Sequence, residues 1–238
     1  MLRIPYTGSG PLTLALALDK PMTKRVLWYH SLPTPPFQTF ERVHEPLDPD
    51  MIFPLFVKPS REGTGMGVTA DRIEEYDWWQ EGRLGEVKLV ATPAQHFSGR
   101  TLGDRNTTLW ASWVIQSGPH RIYYSGDGGY FPGFRTIGQR HGPIDLALME
   151  NGAYDAYWPA VHMAPEETVR AFEELGAKTL YLVHNSTFDL AFHPWREPLE
   201  RVAALARQRG LDLATPEIGE PMTLGRPREN RLWWEGLR

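Results

Sequence analysis

The sequence predicts an α/β fold in which helices pack on mixed β-sheet. Three observations lead there. From residue 87 onward, short apolar runs alternate with amphipathic helical stretches. A turn-linked pair of apolar runs interrupts that alternation, so a single all-parallel sheet does not fit. The two clearest helical stretches also share one grammar, a proline at the start and a glycine at the stop.

Taken in order, residues 1–65 show little regularity. "LTLALAL" at 12–18 reads as a buried strand; Arg3 before it and Asp19 and Lys20 after it match a signal peptide poorly, so export is not expected. "HSLPTPPFQTF" at 30–40 and "EPLDPDMIFP" at 45–54 are interrupted by prolines, which remove donors and restrict their predecessors. "REGTGMG" at 61–67 is glycine-rich, and no period of 2 or 3.6 is sustained before Val68. "TADRIEEYDWW" at 69–79 suggests a short helical turn followed by a connection. "VKLVATP" at 87–93 reads as a strand. "TLWASWVIQS" at 108–117 and "RIYYSG" at 121–126 read as a hairpin around "GPH". "IDLALM" at 144–149 is a short buried strand. "PEETVRAFEELG" at 165–176 is a helix with Pro165 and two glutamates in its first turn and an apolar face of Val169, Phe172 and Leu175. "TLYLVH" at 179–184 is a strand, "PLERVAALARQRG" at 198–210 a second helix, and "EIGEPMTLG" at 217–225 a closing hairpin.

Composition narrows the function classes. The chain has 238 residues, 41% hydrophobic and 23% charged, which suits one sizeable domain with an extension. A net charge of −4 gives no broad nucleic-acid surface. Cysteine is absent, so disulfides and thiolate metal sites are excluded and any metal must take His, Asp or Glu ligands. No apolar run approaches the roughly 20 residues of a membrane helix. "GDGGY" at 126–130 places an aspartate among its glycines, which repels phosphate.

Three residues follow strand-like runs: His96 in "TPAQHFSGR", Asp127 in "YYSGDGGY" and His184 in "LYLVHNS". Loops after strands are where a sheet can hold side chains precisely. An aspartate can bridge two cations, and neutral imidazole suits zinc. Their spacing alone leaves both readings open, a shared metal site or three satisfied loop residues.

The stretches "TPAQHFSGRTLGDRNTTLWASWVI", "IYYSGDGGYFPGF", "IGQRHGPIDLALMENGAYD", "VHMAPEETVRAF" and "LVHNSTFDLAFHPWREP" resemble, in order and spacing, the metallo-beta-lactamase-fold hydrolases. The likeness is to the branch containing the N-acyl-phosphatidylethanolamine-hydrolysing phospholipase D and its bacterial relatives. The resemblance implies an αββα sandwich over 66–238, following a divergent, degenerate or incomplete N-terminal region at 1–65. It implies His96 on a first metal, Asp127 bridging, His184 on a second metal, and His162 as a pocket histidine beside the reacting phosphodiester. On the residues alone, His162 could equally cap the following helix. The implied activity is zinc-dependent hydrolysis of an ester or phosphodiester. The implied substrate is a small or lipid-like molecule, at a cytoplasmic location with peripheral membrane contact. Tyr130, Phe131 and Trp158 would line an apolar acyl pocket.

One departure bears on all of this. The family's H-x-H-x-D-H run, which carries four ligands, is absent; His30 and His44 each stand without a histidine two residues away. With three assignable ligands, the chain would hold one ion, two, or none. Three origins stay open: a diverged N-terminus recruiting His30, His44, Asp48 or Asp50; a non-catalytic regulatory or envelope-associated protein on the same scaffold; or a disrupted reading frame upstream of residue 68. Asn185 and Ser186 also stand where many relatives have Trp-Gly.

Overall fold

The computed structural model describes residues 19–32, 34, 36–39, 45–51, 74–99, 105–186, 191–217, 220–226 and 230–237. The chain forms two compact units, Met1–Glu75 and Tyr76–Arg238. The expected strand at 12–18 and the expected boundary near residue 65 lie outside the described residues.

In the first unit the described residues include a helix, α1 (Lys20–Tyr29), where no sustained period was expected. Its signals are local: Asp19 Oδ1 accepts from Met22 N at 3.0 Å, and Pro21 sits in the first turn.

The second unit is built on one seven-stranded sheet whose spatial order follows the chain: β1 (Glu81–Leu84), β2 (Val87–Pro93), β3 (Ala111–Ser117), β4 (His120–Tyr124), β5 (Ile144–Glu150), β6 (Ala177–Val183) and β7 (Asp212–Ala214). The first four strands pair antiparallel, and β4 to β7 pair parallel. Among the described residues this is the only sheet. Between the parallel strands run α2 (Gly133–His141), α3 (Pro165–Leu175) and α4 (Glu197–Arg209).

The expected strand at 121–126 runs from 120 to 124, and that at 108–117 begins only at Ala111. Of the helical turn and connection expected over 69–79, residues 69–73 lie outside the described residues; 74–77 have no regular structure, and Trp78 and Trp79 form a turn, with Trp79 at φ 73°. The expected hairpin at 217–225 contains no strand among its described residues. Pro216 and Pro221 lack ladder donors there, and the chain instead adds the short edge strand β7.

Register decides which face is core. Val90 pairs with Val114 and Val114 with Tyr123, so all three share a face. Tyr123 lies beside Ala147, Ala147 beside Leu180, and Leu180 beside Leu213. Val169, Phe172 and Leu175 of α3 pack on that face with Val202 of α4 and with Phe134 and Ile137 of α2. Trp234, in the 3₁₀ turn Trp233–Gly236, fills the same core and is 1% exposed. The opposite face is less covered: Leu89, Trp113, Ile115, Ile122, Leu148 and Tyr181 are half-buried and Tyr124 is exposed.

The helix ends follow the expected grammar. Gly176 and Gly210 cap α3 and α4 at φ 69° and 65°, a conformation that glycine adopts without penalty. In α3 the Glu167 carboxylate accepts from Ala164 N at 3.0 Å. Helix α2 lies where the sequence was assigned no element. Its Gly138 lets α3 come close; a Cβ there would stand 2.1 Å from the Leu175 carbonyl oxygen.

Candidate metal centre

Strand direction explains why residues far apart in sequence meet. Strands β2 and β4 each pair antiparallel with β3, so they run the same way. Strands β4, β5 and β6 are mutually parallel. The C-terminal ends of β2, β4, β5 and β6 therefore open on one edge of the sheet. In open α/β sheets ligands bind outside such strand ends. His96 follows β2, Asp127 follows β4, Glu150 ends β5 and His184 follows β6.

The loops there are cross-tied. Gly129 N donates to Gln95 O at 2.8 Å, joining the loops after β2 and β4. The glycines of "GDGGY" do different things. Gly126 takes φ 73° for the turn. Gly128 and Gly129 leave room for other backbone: added Cβ atoms would lie 2.8 Å from Gln95 O and 2.5 Å from Ala160 O.

His96 Nε2 lies 4.0 Å from Asp127 Oδ2. The other ring nitrogen, Nδ1, is 2.8 Å from the Phe97 carbonyl. The imidazole stacks between Phe97 and Trp110, with both ring centroids 4.6 Å away. Trp110 Nε1 donates to Asp127 Oδ1 at 2.8 Å. His162 lies edge-on to His96 at 5.8 Å and stacks on His184 at 5.1 Å. His184 holds φ 63°, unusual for a side chain other than glycine, at a strand end where strain tends to serve a site.

Beneath these rings sits Glu150, fully buried. Its Oε1 lies 3.3 Å from His162 Nδ1 and 3.5 Å from His184 Nδ1. Among the described residues Glu150, His162 and His184 form the one cluster of three or more metal-capable groups whose ligand atoms lie within 4.8 Å of one another. The hydrogen bond and charge of Glu150 raise the His184 pKa above the ordinary imidazole value; burial opposes this and Asp127 adds to it.

The structure thus brings His96 to Asp127 and His162 to His184, with His96 and His162 in ring contact. His30, Asp48 and Asp50 lie in the first unit, and His44 lies outside the described residues. Tyr130 and Phe131 do not line the site, as an acyl pocket would require. Both pack against Phe134 on the helix side, and the Tyr130 hydroxyl donates to Glu174 at 2.9 Å. Trp158 stays at the rim, its indole donating to Ala153 O and its ring 6.2 Å from Phe192. Glu150 and Trp110 were not singled out from sequence. A carboxylate closing the apolar run "IDLALME" was the available signal for Glu150; Trp110 read as strand bulk.

Imidazole nitrogens and carboxylate oxygens form a donor set suited to a borderline cation such as zinc. Two ligands of one tetrahedral ion, each bonded at about 2 Å, stand about 3.3 Å apart, so His96 Nε2 and Asp127 Oδ2, at 4.0 Å, would have to draw closer to share one.

Residues 43–185 match the family model of the beta-lactamase superfamily domain. An uncharacterised protein of Mycobacterium tuberculosis is 47% identical over 171 residues, covering 71% of this chain and 46% of that protein. The mitochondrial N-acyl-phosphatidylethanolamine-hydrolysing phospholipase D of Saccharomyces cerevisiae is 32% identical over 179 residues, covering 70% of this chain and 38% of that protein. The chain thus spans less than half the length of each of these relatives. Igni18, a metallo hydrolase from Ignicoccus hospitalis, superimposes with a TM-score of 0.49 at 19% identity, over 64% of this chain and 60% of that one.

Proposed function

From the premise that this chain belongs to the beta-lactamase superfamily, we propose that it is a metal-dependent hydrolase of an ester or phosphodiester, phospholipase D-like in its reaction. The observation that carries this reading is the meeting of His96 and Asp127 with His162 and His184 outside the C-terminal ends of four like-directed strands.

His96, Asp127 and His184 would hold zinc. When bound, the metal supplies activated water and stabilises negative charge on the reacting oxygens. The chain's own groups do the rest. Trp110 fixes the Asp127 carboxylate by donating to Oδ1, which turns Oδ2 toward His96. His162, in ring contact with both His96 and His184, would position the substrate. Tyr157 and Phe192, both more than 80% exposed, lie on the loop that carries His162 and the segment that follows His184. With Trp158 they offer an apolar rim to a lipid-like substrate. The relative from Saccharomyces cerevisiae, a lipid-hydrolysing enzyme by name, supports that substrate class. Among the described residues no helix is long and apolar enough to cross a membrane.

Because the H-x-H-x-D-H run is absent, turnover is expected to be slow. The test is zinc content after dialysis together with hydrolysis of bis(p-nitrophenyl) phosphate. The expected result is retained zinc and slow hydrolysis, both lost in Asp127→Ala. A chain that folds, binds no zinc and shows no turnover would overturn the reading in favour of a non-catalytic protein on the same scaffold.

A further inference from the structure

Glu150 is the least expected member of the site. It ends β5, is fully buried, and faces two imidazoles at once. Its two histidine neighbours could suggest that it is itself a ligand, since Glu150, His162 and His184 offer atoms within 4.8 Å of one another. The bonding of its oxygens argues for another role. Oε1 accepts from Gly152 N at 3.0 Å and Oε2 from Met163 N at 2.8 Å. The backbone of Glu150 is fixed as well: its N–H donates to Ser125 Oγ at 2.8 Å, and Thr168 Oγ1 donates to its carbonyl at 3.0 Å. Such a carboxylate is a rigid acceptor, satisfied from the protein side.

The two histidines meet it in the same way. Each turns Nδ1 toward Oε1, at 3.3 Å for His162 and 3.5 Å for His184. His162 Nδ1 is buried and closes no well-formed hydrogen bond, so Glu150 Oε1 meets it as an ion-pair contact. His96 repeats the pattern with a different acceptor, its Nδ1 on the Phe97 carbonyl and its Nε2 toward Asp127. All three imidazoles thus turn Nδ1 toward a protein acceptor, and His96 closes a hydrogen bond there. A histidine whose Nδ1–H is held by an acceptor has its Nε2 lone pair free for a cation or a substrate proton.

We propose that Glu150 is a positioning residue that holds His162 and His184 together through their Nδ1 atoms, so that both present Nε2 to the reaction. This rests on the hydrolase reading for its purpose, yet its geometry can be tested without turnover. Gly152 belongs to the same device. It donates to Oε1, and a Cβ on it would meet the His184 carbonyl oxygen at 1.8 Å and its Nδ1 at 3.5 Å.

The experiment is long-range ¹H–¹⁵N correlation of the imidazoles in the full chain, metal-free and with zinc, above the pH range of histidine titration. His162→Gln and His184→Gln assign the signals. The metal-free protein is expected to carry the proton on Nδ1 in both residues, and zinc is expected to shift Nε2 of His184. Glu150→Leu should release at least one ring to the Nε2–H tautomer and weaken zinc binding, read by chelator competition, by about 10–100-fold. Glu150→Gln, which keeps an acceptor oxygen, should preserve the Nδ1–H form of at least one ring and lie between the two in zinc affinity. An Nε2–H tautomer at either residue in the unsubstituted protein would overturn the proposal. So would zinc shifting the Nδ1 resonances directly, which would make Glu150 a ligand. If Glu150→Leu does not fold, these two measurements on the unsubstituted chain still decide. Absence of zinc binding with both rings in the Nδ1–H form would overturn the hydrolase reading and leave the positioning role standing.

Discussion

Two regions of the second unit are equally dry and are held in opposite ways. Under the helices, Val169, Leu180 and Val202 are fully buried among other apolar side chains. At the strand ends, Glu150 and Thr168 are just as buried, but among hydrogen bonds. Helix α3 serves both, since Val169 faces the core while Thr168, one residue earlier, reaches the Glu150 carbonyl at 3.0 Å. Apolar packing is non-directional and tolerates adjustment in proportion to volume. A buried polar cluster has few acceptable arrangements, and each unmade bond there costs desolvation. The first region should therefore carry stability and the second orientation.

The largest effect should come from the apolar region. Phe172→Ala is expected to cost about 3–5 kcal/mol of stability through lost transfer free energy and a cavity. Denaturant unfolding checks this, and zinc affinity of the folded fraction should be unchanged. A variant that also lost zinc would erase the distinction between the regions.

A matched pair of glycine substitutions sharpens it. Gly138→Ala and Gly152→Ala each force a Cβ into backbone, at 2.1 Å from Leu175 O and 1.8 Å from His184 O. Both should destabilise by about 1–3 kcal/mol. Only Gly152→Ala should also weaken zinc binding, because the atom it displaces belongs to His184. Equal zinc affinity in the two would break the comparison.

The smallest effect lies at the surface, away from both regions. Lys178 Nζ donates to Asp145 Oδ1 at 2.7 Å, and Arg121 N to Oδ2 at 3.0 Å. Chiefly through Lys178, the Asp145 carboxyl is held below the usual range. A lowered folded-state pKa contributes stability above the unfolded carboxylate value and loses it as pH falls through the folded one. Lys178→Met should therefore cost at most about 1 kcal/mol near neutrality. The difference should shrink to nothing in acid, as thermal melts across that range would show. A difference that grew in acid would contradict the sign.

Much of this molecule was legible from local signals. Pro165 and Gly176 marked the ends of α3, and the runs at 87–93, 144–149 and 179–184 were strands because short apolar stretches bounded by turn residues have few other solutions. His96, Asp127 and His184 stood out because each polar residue follows such a run. Other features left weaker traces. Helix α1 had its cap and first-turn proline but no strong apolar face. Helix α2 was hidden behind glycines whose purpose is close packing. Trp234 gave no periodic pattern at all, and only the fold inserts it into the core.

The sequence by itself determined β2 to β6, α3 and α4 and which residues could bind a cation, because propensity, capping and side-chain chemistry are local properties. Only the tertiary structure decided that β2, β4, β5 and β6 point the same way, that the Tyr130 and Phe131 rings turn to the helices, and that one buried glutamate faces two histidines. Those facts depend on strand pairing and on where a side chain finds an acceptor after water has been excluded. Neither is written in any short stretch of chain.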